Sequence, residues 1–145
     1  PIGAMSRTYS DNVLIVGDAA GHTKPLSGGG IYTGMRAAGC AARTALEAHA
    51  HGNFSAPFLS RYQECWKSEI GKELDRGLRV RKVFVRLNDK KLDEVGRLMN
   101  RPDVIDLLSQ GDIDYPTRLA PSLLRSIPSL LRLSPQIIGS FLGKE

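Results

Sequence analysis

An apolar run that stops at Gly17-Asp18, followed by a small-residue turn and a glycine triplet, leaves this chain few ways to fold. The run is Val13, Leu14, Ile15 and Val16; the turn is Ala19-Ala20-Gly21; the triplet is Gly28-Gly29-Gly30, preceded by Pro25-Leu26. Consecutive apolar residues bounded by turn formers read as a buried parallel strand. Asp18 then stands at the carboxyl end of that strand, the edge at which open α/β sheets bind ligands. A carboxylate there can accept hydrogen bonds from hydroxyl groups. Three glycines in a row remove the Cβ atoms that would hold a flat molecule off the backbone. They also open a helix, whose unbonded N–H groups and dipole favour negative charge. The blander alternatives are a capping role for Asp18 and an ordinary surface turn for the triplet. The combination of strand end, Pro25 and helix start favours a ligand site over both.

These residues resemble the second flavin-binding motif of a large family of FAD-dependent enzymes that includes aromatic hydroxylases and geranylgeranyl reductases. The geranylgeranyl reductases are the nearer match. Their Gly-Asp-Ala-Ala-Gly turn and Pro-Leu-x-Gly-x-Gly-Ile stretch stand here as Gly17–Gly21 and Pro25–Ile31. Aromatic hydroxylases carry His directly after Gly-Asp-Ala-Ala, whereas this chain has Gly21 and then His22. Gly71-Lys72-Glu73-Leu74 and the stretch from Gly111 to Pro116 also resemble the reductases, so the likeness spans most of the chain.

The resemblance implies a mainly α fragment with one or two β-strands, the C-terminal portion of an α/β FAD-binding flavoprotein of the Rossmann-like, aromatic-hydroxylase type. Residues 1–50 would hold the last strand, the FAD-contacting loop and a helix; residues 51–145 would form a C-terminal helical region. It implies that Gly17, Asp18, Pro25, Gly28, Gly29, Gly30 and Ile31 contact FAD, Asp18 through a ribityl hydroxyl. The implied activity is reduction of carbon–carbon double bonds in geranylgeranyl chains of isoprenoid lipids. No catalytic residue is identifiable. The dinucleotide fingerprint Gly-x-Gly-x-x-Gly is missing: Gly28, Gly30 and Gly34 have other spacing and follow the strand of the site. Without it, and with Pro1 where an initiating Met would stand, the chain is expected to be a piece of a longer polypeptide that holds no FAD by itself. Related hydroxylases, halogenases and electron-transfer dehydrogenases stay open as alternatives. So does a non-enzymatic helical module that binds a membrane or a partner.

Beyond the triplet the pattern is helical. A helix from about Gly29 to His49 carries small residues (Gly34, Ala37, Ala38, Gly39, Ala41, Ala42) suited to close packing on a sheet, and Gly52-Asn53 ends it. Ser55 is placed to cap a second helix that begins at Ala56-Pro57. Phe58, Tyr62, Cys65, Trp66, Ile70 and Leu74 follow helical spacing, and Val80, Val83, Phe84 and Leu87 continue it. Gly71 and Gly77 argue against one unbroken rod. Asn88 or Asp89 caps the next helix through Leu92, Val95, Leu98 and Met99. Pro102 opens another through Val104 and Leu107, which Gly111 ends. The tail repeats every seven residues from Arg118, Arg125 and Arg132, with Pro121, Pro128 and Pro135 at matching places. Each Pro reads as the start of a short helical turn. Apolar pairs and arginines together also suit a lipid surface.

Charge excludes little. A net charge of +5 with 24% charged residues is too mild to indicate nucleic acid, and the Arg79–Lys82 run reads as a solvated helix face. No stretch approaches the ~20 apolar residues of a membrane span. The expected location is therefore the cytoplasm, with peripheral membrane contact for a lipid substrate and no nucleic-acid partner. Cys40 and Cys65 read as buried thiols in a reducing compartment, with no metal cluster near them. His22 reads as a solvated loop residue, and Tyr62, Trp66 and Phe84 as core.

Overall fold

The computed structural model describes residues 2–128. Helix of all kinds makes up 66% of the described residues, beside one two-stranded sheet. The mainly helical fold class expected from the sequence is therefore observed. The contacts divide the chain into two compact units, one up to Leu78 and one from Arg79 onward.

The first unit begins with strand β1 (Tyr9–Ser10) and strand β2 (Val13–Leu14), paired antiparallel with Tyr9 opposite Leu14. This corrects the expected buried parallel strand over Val13–Val16. A parallel strand needs neighbours delivered by crossover connections, and the described residues supply none. The segment pairs instead with the chain just before it, through a two-residue turn in which Asn12 adopts φ 59°, a conformation Asn tolerates well. Val13 is left 46% exposed. Pro1 lies outside the described residues, and Ile2 is not in a strand.

Helix α1 (Ile31–His51) follows the glycine triplet and ends where Gly52 turns left-handed at φ 59°. Gly52 N–H and Asn53 N–H close on the carbonyls of His49 and Ala48 at 3.1 and 2.9 Å, which satisfies the orphan acceptors of the last turn. One face of α1 is buried: Thr33, Ala37, Cys40, Thr44 and Ala48. The opposite face is also apolar, yet Ile31, Met35 and Leu46 are 83%, 70% and 71% exposed.

Helix α2 (Ala56–Trp66) packs along α1, continues through a π-turn at Lys67–Gly71 and runs on as α3 (Lys72–Phe84). Gly71 therefore marks a widened turn. Gly77 has a different use: a Cβ there would stand 3.1 Å from Cδ of Pro25, so glycine lets the loop ring lie against α3. Tyr62, Trp66, Ile70 and Leu74 form the core with Ala37 and Cys40 of α1. Tyr62 donates to the carbonyl of Ile15 at 2.7 Å, and Trp66 Nε1 donates to Thr8 Oγ1 at 2.9 Å. The first unit thus carries its hairpin on buried hydrogen bonds from α2. Burial raises the Tyr62 phenol above its ordinary value.

Cys40 and Cys65 form a disulfide with Cα atoms 5.8 Å apart. The expected free thiols are corrected: small residues on α1 let α2 approach closely enough to bridge. Cysteine usage accordingly gives no argument for a reducing compartment.

In the second unit, helix α4 (Asp89–Met99) is capped by Asn88, whose side chain accepts from Lys91 N–H at 3.0 Å. Val95 gathers Val83, Phe84, Leu87, Leu98 and Met99. Helix α5 (Pro102–Ser109) opens on proline as expected and closes before Gly111, where a Cβ would collide with Leu119. A 3₁₀ turn at Pro116–Leu119 leads to helix α6 (Ala120–Ser126), with Pro121 in its first turn. The later repeats, including Arg132 and Pro135, lie outside the described residues. Arg118 stacks on Tyr115 at 4.0 Å and Arg125 donates to the Pro121 carbonyl at 3.3 Å. No helix among the described residues is long and apolar enough to cross a membrane.

One expectation about caps separates sequence from structure. Ser55 occupies the N-cap position of α2, but its hydroxyl bonds Asn53 Oδ1 at 2.7 Å. The first α2 amide, Ala56 N–H, is taken by the Asp11 carboxylate at 2.5 Å. Asp11→Ala should lower stability by about 1 kcal/mol in urea unfolding, and Ser55→Ala by less. The reverse order would return the cap to Ser55.

Candidate functional site

Every residue singled out in the loop lies in the first unit, between β2 and the first residue of α1. Gly17–Ala20 forms a single 3₁₀ turn, bounded by left-handed Gly17 at φ 68° and Gly21 at φ 73°. At Gly21 no side chain fits, because a Cβ would collide with the Gly3 carbonyl. Asp18 is exposed in the first turn, and its Oδ1 accepts from Thr23 Oγ1 at 3.0 Å. That bond fixes the carboxylate while leaving its remaining lone pairs open to solvent.

The glycine triplet approaches Asp18 from α1. Gly30 is the N-cap residue of α1, and a Cβ on it would collide with Asp18 Oδ1. Glycine is required there for the carboxylate to lie across the helix start. Gly28 is left-handed at φ 73° with open space where a side chain would be. Lys24 and the triplet brace each other: Lys24 N–H donates to Gly29 O and Gly28 N–H to Lys24 O, both at 2.9 Å. Pro25 is buried, Leu26 is 41% exposed, and Ile31 projects into solvent. The site therefore offers a fixed carboxylate, bare glycine backbone and the positive end of a 21-residue helix within one patch.

His22, read as a solvated loop residue, is fully buried. Its Nδ1 accepts from Gly17 N–H at 3.2 Å, its own N–H donates to Gly17 O at 3.0 Å, and its ring lies 4.6 Å from that of Trp66. Thr33 on α1 donates its hydroxyl to the His22 carbonyl. A solitary polar residue in a loop carries no signal of burial. Thr33 did carry one: it shares the helical phase of Ala37, Cys40 and Thr44, and a hydroxyl on that inward face needs a backbone partner.

Accepting from Gly17 puts the ring proton on Nε2, which is buried without a partner among the described residues. Burial lowers the His22 pKa below its ordinary value. A proton added at Nδ1 would also face the Gly17 donor. The neutral form is thus the folded form. The stability it confers is complete above the ordinary imidazole value of 6.5 and is lost as pH falls through the lowered folded value. The unfolding temperature should fall as pH is lowered below the ordinary imidazole value of 6.5. His22→Asn, which keeps an acceptor for Gly17 N–H, should flatten that dependence. An unchanged slope would remove His22 as its source.

No family model matches the chain, and no solved structure matches it. Curated proteins do. It is 36% identical over 136 residues to a protein of Methanothermobacter thermautotrophicus named digeranylgeranylglycerophospholipid reductase 2, covering 94% of the chain and 33% of that protein. A protein of the same name from Methanopyrus kandleri is 32% identical over 136 residues, covering 94% and 34%. An uncharacterized protein of Methanocaldococcus jannaschii is 39% identical over 128 residues, covering 88% and 32%. The chain spans about a third of the length of the curated relatives it matches.

Proposed function

We propose that this chain, homologous along nearly its whole length to about a third of a digeranylgeranylglycerophospholipid reductase, is the flavin-contacting and helical part of an oxidoreductase that saturates isoprenoid lipid chains. Residues 1–50 would belong to the FAD-binding domain and residues 51–145 to the helical region beside it. The observation that carries this reading is the meeting of Asp18 and Gly30. An exposed carboxylate, already held by Thr23, crosses the start of α1 so closely that a Cβ on Gly30 would displace it.

The chain's residues suit a flat cofactor with a hydroxylated tail. Asp18 accepts hydrogen bonds, which a ribityl hydroxyl donates. Open space at Gly28 lets a ring system lie against the chain there, while the Lys24 side chain covers Gly29. Pro25 fixes the wall beside that space, itself held by Gly77. The start of α1 favours negative charge, on the order of 1 kcal/mol at such a terminus. Bound flavin would supply the hydride that reduces a carbon–carbon double bond. The braces from Lys24, His22 and Thr33 order the loop beforehand, so less binding energy goes into ordering it. Apolar helices beyond residue 51 would wall the channel for the isoprenoid chain, and a lipid substrate would bring the protein to a membrane surface.

The test is FAD titration of the full-length protein. Asp18→Ala should weaken binding about 10- to 100-fold, the loss of a charge-assisted hydrogen bond of roughly 1.5–3 kcal/mol. Gly30→Ala should disturb both the Asp18 carboxylate and FAD retention. With a geranylgeranyl lipid and a reductant, the wild-type protein should add one pair of hydrogens per double bond by mass spectrometry. If Asp18→Ala binds FAD like wild type, Asp18 serves only the fold. This chain expressed alone should purify without stoichiometric flavin.

A further inference from the structure

The face where α1 meets α2 holds a second chemical cluster, separate from the Asp18 loop. Cys40 is fully buried on α1; Cys65, bonded to it, is half-buried on α2. The Arg43 guanidinium covers the bond, with Nη2 3.0 Å from Cys65 Sγ and 3.4 Å from Cys40 Sγ. Glu69 reaches both sulfurs at 3.6 and 3.7 Å through Oε1. Its oxygens are already held, Oε1 by Arg43 at 3.0 Å and Oε2 by Arg36 at 2.8 Å. Two guanidiniums against one carboxylate leave the cluster positive. That excludes the other reading of two sulfurs and a carboxylate, a cation site: a guanidinium already stands where the ion would be.

The geometry points to a thiol–disulfide exchange site at Cys40–Cys65, with Arg43 holding the charge of the departing sulfur and a dithiol reductant as the reaction partner. A purely structural bridge needs no cation on its sulfurs. An exchanging one gains from it, because each step expels a thiolate that a cation stabilises. A thiolate of the reductant attacks Cys65 Sγ, the sulfur that solvent reaches. A mixed disulfide forms there, the Cys40–Cys65 bond breaks, and its electron pair leaves on Cys40 Sγ beside Arg43. The second thiol of the reductant loses its proton and attacks its own partner sulfur in the mixed disulfide. Cys65 departs as a thiolate, again against Arg43. The reductant ends as its disulfide, the cysteine pair has gained two electrons, and the two protons released are available to the new thiols. This site does not depend on the flavin reading.

The test uses the full-length protein in graded mixtures of reduced and oxidised dithiothreitol, with thiols trapped by alkylation. Peptides carrying Cys40 and Cys65 are then read by mass spectrometry. The bridge should open and reclose reversibly while far-ultraviolet dichroism stays native. With oxidised glutathione, Cys40→Ser should collect the adduct on Cys65, and Cys65→Ser should leave Cys40 unmodified while folded. Arg43→Gln should slow reduction several-fold, and Arg43→Lys should restore most of the rate. A bridge that opens only when the protein unfolds, a pair that stays reduced under oxidant, or an unchanged rate in Arg43→Gln would overturn the proposal.

Discussion

His22 joins three parts of the first unit that are distant in sequence. Its Nδ1 takes Gly17 N–H, its carbonyl takes the Thr33 hydroxyl from α1, and its ring lies against Trp66 of α2. The 3₁₀ turn that presents Asp18 is thus clamped from within by a neutral imidazole. The clamp has a cost: Nε2 is buried with no partner among the described residues, and an unmade buried hydrogen bond costs roughly 1–3 kcal/mol. Packing against Trp66 and the two bonds to Gly17 offset it. The exposed Asp18 carboxylate, bonded directly by Thr23, thus stands on a turn fixed from beneath by a fully buried histidine.

Much of this was legible beforehand, because local rules govern it. Proline and glycine punctuation placed α1, α4 and α5 with small boundary shifts: α1 begins at Ile31 and ends at His51 instead of running from Gly29 to His49. Asn88 capped as its type suggests. Tyr62 and Trp66 proved core because their spacing matched one helix face. What failed was non-local. The Asp11 cap on α2 spans 45 residues, and no motif links a turn residue to a helix that far along. The strand expectation failed because an apolar run shows burial but not its partner. His22 failed because burial of a lone loop residue is decided by helices that arrive later in the chain. The cysteine pair failed because two residues with 25 positions between their numbers give no distance until helix packing supplies one.

Glycine was the most dependable guide, and for differing reasons. Gly28 needs only left-handed backbone, and Gly21 needs that together with room against the Gly3 carbonyl. Gly30 and Gly77 need emptiness, one for a carboxylate and one for a proline ring. Sequence alone treats these as one residue type with one permissive property. Only the neighbours show which positions are conformational and which are steric, and so which tolerate alanine.

Helix α1 presents apolar residues on two opposite sides, and only one is covered among the described residues. A cluster of large apolar residues left exposed on a helix marks a surface that another element tends to cover. Its bare side, with Ile31, Met35 and Leu46 standing out, is a surface that water does not favour and that another copy could cover as readily as the rest of a longer protein. Molecules with that side open would therefore tend to adhere to one another through it.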